Sequence, residues 1–203
     1  GKQTLPVSTT ANPLGYLKYT YTASEIQPDM LNADITKTTD SPSWGGLYLQ
    51  YFEKFDQVQQ QKGILSVTKK LFIEKIGSDG KQELLPLGKE KLKTGDKVIT
   101  RLTLSLKQDM DFLYLKDFRA ACFEPIGQLS GNQWKFGTVY YEESKDAVTN
   151  FFFNSLAKGT YVLEYPVWVN QAGTYQDGIA TFQSMYAPEY TAYSEAGKIT
   201  VTK

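Results

Sequence analysis

Apolar and polar residues alternate with a period of two along much of the chain, which is typical of half-buried antiparallel strands. The clearest rows cover residues 97–107 and 161–169. In the second row, Pro166 has the parity opposite to the apolar residues and predicts an edge strand or a bulge, since proline cannot donate to a ladder. Further strands are predicted at about 64–75, 111–123, 136–141, 148–153, 179–187 and 198–202.

Turn residues separate these rows. Gly77–Gly80 predicts a hairpin, Thr94–Asp96 opens the strand at 97, and two more turns are predicted at Ser130–Asn132 and Gln176–Gly178. Short strands at this spacing, rich in Tyr, Phe, Val and Thr, predict a β-sandwich.

The first quarter of the chain has a weaker pattern. Rows at Leu17–Tyr21 and Leu47–Tyr51 predict two further strands. Residues 51–62 fit either a short amphipathic helix or a strand extension. The glutamine run at 59–61 is typical of a connector, so a boundary is placed at 61/62.

One local motif has a clear mechanism. Leu156 to Tyr161 has the L-x-x-G-x-Y spacing of a tyrosine corner, in which the tyrosine hydroxyl turns back to upstream backbone. Gly159 permits the sharp turn before it. The motif supports an immunoglobulin-like or macroglobulin-like antiparallel sandwich, and the fold class is therefore all-β.

Composition excludes several function classes. The chain of 203 residues has 22 Lys+Arg and 22 Asp+Glu, so it is neutral and has no basic footprint for nucleic acid. It has no histidine, which removes Ser-His-Asp and Cys-His chemistry and the commonest zinc ligand. No apolar run approaches the roughly 18 residues of a membrane span. We expect no enzyme activity, no cofactor, no metal and no catalytic residues.

Five segments, read in order, resemble the last part of bacterial alpha-2-macroglobulin family proteins. The resemblance spans roughly 43–203, and the segments are SWGGLYLQYFEKFDQV, LSVTKKLFIE, LKDFRAACFEP, TNFFFNSLAKGTYVLEY and MYAPEYTAYSEAGKITV. In that family this region follows the thioester domain and ends in the final macroglobulin-type sandwich. The resemblance implies that 1–61 link from the upstream thioester or CUB-like region and that 62–203 form the C-terminal sandwich.

The resemblance also implies the setting. Since the chain begins at Gly1 without methionine, we expect it to be a piece of a longer protein. The implied parent is a protease-trapping inhibitor of the cell envelope, periplasmic or surface-exposed, with a lipid anchor at its missing N-terminus as one option. The implied partners are the other domains of the parent and, through the parent, a target protease.

The family's covalent chemistry does not carry over to this chain. The thioester motif C-x-E-Q needs a glutamine three residues after the cysteine, but Cys122 is followed at that distance by Pro125. Cys122 lies in an alternating strand pattern and is interpreted as a buried core thiol.

Three groups of residues leave alternatives open. Trp44, Trp134 and Trp168 could form a sugar-binding platform or pack in the core; Trp168, opposite the inward row, is the best candidate for exposure. The 151–153 triplet of phenylalanines fits a strand buried on both faces or an exposed docking patch. Asp109, Asp111, Asp117 and Glu124 could bind calcium, but turn and surface roles are favoured. Glu142, Glu143 and Asp146 could act as general acid/base groups, but a solvated loop is favoured.

Overall fold

The computed structural model describes residues 18–32, 34, 36, 40, 42, 44–88, 91–127, 129–135 and 137–203. The chain divides into two compact units, Gly1–Gln50 and Tyr51–Lys203. The described residues of the first unit form one short 3₁₀ helix, Pro28–Leu31, and no strand. The second unit has another 3₁₀ helix, Phe55–Gln57, and then strands only.

The strands of the second unit follow in chain order. They are β1 Leu65–Ile76, β2 Gln82–Pro86, β3 Leu92–Lys93, β4 Lys97–Leu106, β5 Met110–Phe118, β6 Phe123–Pro125, β7 Gly131–Lys135, β8 Thr138–Ser144, β9 Val148–Leu156, β10 Gly159–Val169, β11 Gly173–Asp177, β12 Ala180–Ser184, β13 Thr191–Tyr193 and β14 Gly197–Thr202.

These strands form three sheets, and the all-β prediction is confirmed. One sheet has the order β2-β1-β4-β10-β6, a second has β13-β12-β5-β9-β8-β7, and a small third has β11-β14-β3. Each described pairing is antiparallel except β14 with β3. The five-stranded and six-stranded sheets face each other, as the contact between Tyr165 of β10 and Phe151 of β9 shows, with ring centroids 6.0 Å apart.

The core fills the space between the two large sheets. Alternate residues of β4 and β10 point into it, which confirms the two strongest rows of the sequence. Phe151, Phe153 and Phe182 are its largest fully buried side chains, and Ile199 and Val201 of the small sheet join the same cluster.

Pro166 lies where its missing N–H costs little. It is opposite Ile99 of β4, while its carbonyl accepts from Ile126 N on the other side, just beyond the three-residue strand β6. In a strand the N–H and C=O of one residue point the same way, so the proline faces the short neighbour and removes no bond to β4. Because β10 lies between β4 and β6, the predicted edge strand is wrong, and Pro166 is accommodated because it faces the end of the short strand β6.

Two further local predictions are confirmed. Gly77–Gly80 joins β1 to β2 as a hairpin, closed by the bond from Gly77 N to Lys81 O. The tyrosine corner forms, with the Tyr161 hydroxyl donating to Ala157 O at 3.0 Å. That bond reaches back four residues and fixes the entry into β10.

Four other local predictions are wrong. Among the described residues, neither the 17–21 row (of which Leu17 lies outside them) nor the 47–51 row forms a strand, because no partner strand pairs with them and Tyr19 and Leu49 are exposed. An alternating row becomes a strand only where a partner and a buried face are available. The 51–62 stretch has the Phe55–Gln57 3₁₀ turn and a single β-bridge from Gln61 to Tyr193. Gly131 begins β7 instead of sitting in a turn.

Candidate functional site

The outer face of the six-stranded sheet carries a row of aromatic side chains. Trp134 lies opposite Val139, Tyr141 lies opposite Phe152, and Phe152 lies opposite Tyr114, so the row crosses β7, β8, β9 and β5. We call these five residues the outer aromatic row. Their alternate neighbours, such as Tyr140, point into the core, which fixes the row on the outside.

The rings at one end of the outer aromatic row stack on one another, and the side chains at the other end are exposed to solvent. Tyr114 stacks on Phe152 with centroids 4.9 Å apart and planes at 20°, and Tyr141 lies 6.3 Å from Phe152. Trp134 is 80% exposed, and Val139 and Tyr141 are exposed as well. Exposed aromatic rings on a rigid sheet are enriched at protein contacts.

Polar groups along the row are held by one another. The Tyr114 hydroxyl donates to Asn150 Oδ1 at 2.8 Å, and Asn150 Nδ2 donates to Glu143 Oε2 at 2.8 Å. The Asn150 hydrogen bond, followed by that from Lys145, holds the pKa of Glu143 below its ordinary value. The Tyr114 hydroxyl has a raised pKa because of partial burial and the nearby Glu143 charge. This network fixes the rotamers at the stacked end.

Phe112 adds an exposed ring on the same parity of β5 as Tyr114. Its φ is +52°, a strained conformation for an aromatic residue, and its ring packs edge-on against Tyr186 at 5.2 Å. The ladder between β5 and β9 is interrupted there, because pairing passes from Asp111 to Leu113. Met185 N bonds to the freed Phe112 carbonyl at 2.9 Å.

The three tryptophans do not form one platform. Trp134 lies on the six-stranded sheet and Trp168 on the five-stranded sheet, so they belong to different outer faces. Trp168 is exposed, as its parity predicts, but at 46% it is less exposed than Trp134 or than Trp44 at 88%. The prediction that Trp168 is the best candidate for exposure among the tryptophans is therefore wrong.

A second cluster lies inside the sandwich. Lys69 of β1 projects between the sheets, and its Nζ lies 3.0 Å from Asp117 Oδ1 and 2.9 Å from Asp177 Oδ1. The side chains of Lys69, Asp117 and Asp177 are 2%, 0% and 14% exposed. The Tyr165 hydroxyl donates to the other oxygen of Asp117 at 2.5 Å. We call these four residues the buried lysine cluster.

Backbone groups complete the cluster. Lys69 Nζ donates to the carbonyls of Phe118 at 2.7 Å and Gly178 at 2.9 Å. Gly178 has to be glycine for this approach, because a Cβ atom there would collide with the Phe118 carbonyl. The lysine is thus held from both β5 and the end of β11.

Burial and the charges of neighbouring groups shift the pKa values of Asp177 and Lys69 in opposite directions. Desolvation raises the pKa of Asp177 more than Lys69 lowers it. Desolvation alone would lower the pKa of Lys69, but Asp117 and Asp177 more than offset this and hold it above its ordinary value. Burial, followed by the Asp117 charge, raises the pKa of Tyr165 well above its ordinary value, so its hydroxyl stays a donor.

The sequence pattern around Lys69 and Asp117 indicates such a buried cluster. Lys69 occupies the inward parity of β1 between Val67 and Leu71, and Asp117 follows Leu113 and Leu115 on the inward parity of β5. A charge within an apolar row predicts a buried partner of opposite charge. The sequence interpretation of Asp117 as a surface or turn residue is wrong, because its side chain is fully buried.

Arg119 is a neighbouring buried cation. Its guanidinium donates to the Thr149 hydroxyl and to the carbonyls of Lys145 and Asp146. These bonds tie the end of β5 to the turn between β8 and β9. Asp146 therefore contributes its backbone, and its place in a turn is as predicted.

Cys122 is a core thiol, as predicted, although it lies in the turn before β6 instead of a strand. Desolvation raises its pKa to about 11. The thiolate is the reactive form, so this cysteine is chemically quiet.

The remaining carboxylates lie apart. Asp109 caps a turn by accepting from Lys158 N at 2.7 Å, while Asp111 and Glu124 are exposed on β5 and β6. Glu142 and Glu143 are on β8 and not in a loop, which corrects the sequence interpretation. Burial raises the pKa of Glu142, whose side chain points inward.

The triplet at 151–153 is buried on one face only. Phe151 and Phe153 lie in the core, whereas Phe152 belongs to the outer aromatic row. The interpretation as a strand buried on both faces is wrong.

No group of three or more Cys, Asp or Glu side chains among the described residues has a metal-binding arrangement. No helix in the same part of the chain has the length and apolar character needed to cross a bilayer.

Comparison with known proteins gives a consistent picture. Residues 65–189 match the family described as "Bacterial Alpha-2-macroglobulin MG10 domain". No curated protein sequence matches the chain significantly.

Solved structures show the same fold. The Salmonella alpha-2-macroglobulin mutant Y1175G has a TM-score of 0.55 at 20% identity over 72% of this chain and 10% of its own. Escherichia coli alpha-2-macroglobulin activated by porcine elastase has 0.55 at 18% identity over 72% and 14%. The native Escherichia coli protein in its cryo-EM reconstruction has 0.54 at 18% identity over 77% and 10%. The chain thus spans about a tenth of the length of two of these relatives and a seventh of the other.

Proposed function

Because the chain belongs to the bacterial alpha-2-macroglobulin family, we propose that it is a non-catalytic docking domain of a protease-trapping inhibitor. Residues 62–203 are the C-terminal macroglobulin-type domain, and 1–61 link it to the preceding part of the parent. The partners are other domains of the same parent and, through the parent, a protease. The parent works in the cell envelope, periplasmic or surface-exposed.

The outer aromatic row is the observation that carries the docking role. It places an exposed Trp134, Val139 and Tyr141 on adjacent strands of a rigid sheet, next to the stacked Tyr114 and Phe152. Trp and Tyr are enriched among the few interface residues whose truncation to alanine costs about 2 kcal/mol or more of binding free energy. The fixed polar groups of Tyr114, Asn150 and Glu143 flank the row as a polar rim.

The relatives supply the context of a larger chain. Two Escherichia coli alpha-2-macroglobulin structures are of the protein activated by porcine elastase and by trypsin, and this chain covers 14% and 11% of them. A domain that is a small part of such a protein has neighbours to contact, and an apolar face provides the contact.

Hydroxyl-radical footprinting tests the docking surface. The oxidation of Trp134 and Tyr141 is compared between the 203-residue chain and the intact parent, with Trp168 on the other sheet as the internal reference. Docking predicts that Trp134 and Tyr141 become several-fold less oxidised in the parent, while Trp168 changes less. Equal oxidation of Trp134 in both forms would exclude the outer aromatic row as the contact surface.

A glycan- or surface-binding role is the second candidate, favoured by the exposure of Trp168. It predicts saturable binding on a glycan array that weakens on Trp168→Ala. Trp134→Ala, on the opposite sheet, is the matched control. An array without signal removes this candidate.

A further inference from the structure

The amine of Lys69 lies between two backbone carbonyls and two carboxyl groups. Its hydrogen bonds go to the carbonyls of Phe118 and Gly178. The Oδ1 atoms of Asp117 and Asp177 lie 3.0 Å and 2.9 Å from the same nitrogen. In its neutral form, the amine has two N–H bonds and one lone pair. With both N–H bonds directed at carbonyls, the lone pair is left for the carboxyl groups.

We propose that Lys69 and Asp117 condense in the folded protein to form an intramolecular isopeptide bond, with Asp177 as the proton carrier. The bond joins β1 of one large sheet to β5 of the other. It would be a covalent link across the sandwich in a chain whose single cysteine permits no internal disulfide.

The step balances without any co-reactant. Lys69 passes one ammonium proton to Asp177, and the neutral nitrogen attacks the Asp117 carboxyl carbon. This addition forms the new C–N bond and gives a tetrahedral intermediate, whose C–Oδ1 bond then breaks. The departing oxygen takes the second nitrogen proton and then the proton held by Asp177, and leaves as water. One ammonium and one carboxylate become an amide and one water molecule, and Asp177 ends as it began.

The surroundings of each group fit its role. The Tyr165 hydroxyl bonds to Oδ2 of Asp117, where negative charge develops in the tetrahedral intermediate, as a donor in an oxyanion hole does. Asp177 lies at the same nitrogen, and its burial favours the protonated form. The strands and the glycine at 178 hold the atoms together before reaction, which replaces a collision between molecules by a positioned encounter.

Burial also favours the product. Lys69, Asp117 and Asp177 are buried ionisable groups near the buried Arg119, and desolvating each ion costs several kcal/mol. Condensation removes an ammonium and a carboxylate and leaves a neutral amide, whose burial is far cheaper. The high pKa of Lys69 makes the neutral amine scarce, so the reaction is slow, but each molecule needs it once.

The intact mass of the purified, unfolded 203-residue chain tests the proposal. The expected mass is one water below the mass of the sequence, and a protease digest yields a branched peptide joining Lys69 to Asp117. Asp117→Asn is expected to lose ammonia instead of water, since the leaving group is then the amide nitrogen. Lys69→Met and Asp177→Asn restore the full mass, while Lys70→Met, at the exposed neighbouring lysine, keeps the deficit.

Two results overturn the proposal. One is the full sequence mass in a wild-type chain whose circular dichroism shows the folded sheet structure. The other is a branched peptide that joins Lys69 to Asp177, which would reverse the roles of the two aspartates. Both are read on the wild-type protein, so a variant that fails to fold does not affect the outcome, and neither depends on the docking role.

Discussion

Three consecutive phenylalanines give a test of the sheet geometry within one strand. Phe151 and Phe153 are 1% and 2% exposed in the core, where Phe151 contacts Tyr140 and Tyr165 and Phe153 contacts Tyr140 and Phe182. Truncating a buried phenylalanine to alanine costs about 3–5 kcal/mol in lost burial and cavity formation. Phe152 lies on the outer face and loses partial burial and one stacked ring, for about 1–2 kcal/mol.

The three alanine variants should therefore give an alternating pattern of unfolding free energies. Urea denaturation followed by circular dichroism measures each loss, with the m-value checking that the folded state is unchanged. We expect Phe151→Ala and Phe153→Ala each to lose more stability than Phe152→Ala, by at least about 1 kcal/mol. Three equal losses would indicate a strand buried on both faces and would refute the assignment of Phe152 to the outer aromatic row.

Three further predictions follow from single residues. Tyr161→Phe removes the bond to Ala157 O and should lower the unfolding free energy by about 0.5–1 kcal/mol in urea titrations, whereas a loss near zero would mean that the corner adds no stability. Cys122 should resist iodoacetamide at about pH 8 in the native chain and react fully in urea, since with a pKa of about 11 only about one thiol in a thousand is ionised there; rapid native labelling would contradict its burial. Glu142 has a pKa raised by burial, so the folded state binds its proton more tightly than the unfolded state and stability falls as pH rises through that raised pKa. Glu142→Gln should flatten this fall, measured as the melting temperature between about pH 4 and 7, and identical profiles for the two proteins would contradict it.

Local pattern predicted most of the second unit. The alternation of apolar and polar residues predicted the inward faces of β4 and β10. The spacing of Gly159 and Tyr161 predicted the tyrosine corner. Both depend on residues close in sequence, whose geometry is set by the strand itself. The described residues of the 17–21 and 47–51 rows form no strand. A strand also needs a partner strand, which an alternating pattern alone does not supply.

The candidate sites were harder to predict because they depend on distant residues. Trp134 and Tyr114 belong to one row only through the pairing of β7, β8, β9 and β5. The charge of Lys69 on an apolar row could have indicated a buried partner. Its pairing with Asp177, 108 positions away, is set by the packing of β11 and by the close approach at Gly178.

Protease trapping by the intact parent is the most direct test of the proposed role. The parent is mixed with elastase or trypsin, and the activity of the protease is followed on a small peptide and on a large protein substrate. The account predicts that cleavage of the large substrate is lost while cleavage of the peptide persists. It also predicts that Trp134→Ala with Tyr141→Ala weakens this shielding, whereas Trp168→Ala leaves it intact. A wild-type parent that leaves the protease fully active on the large substrate would contradict the account.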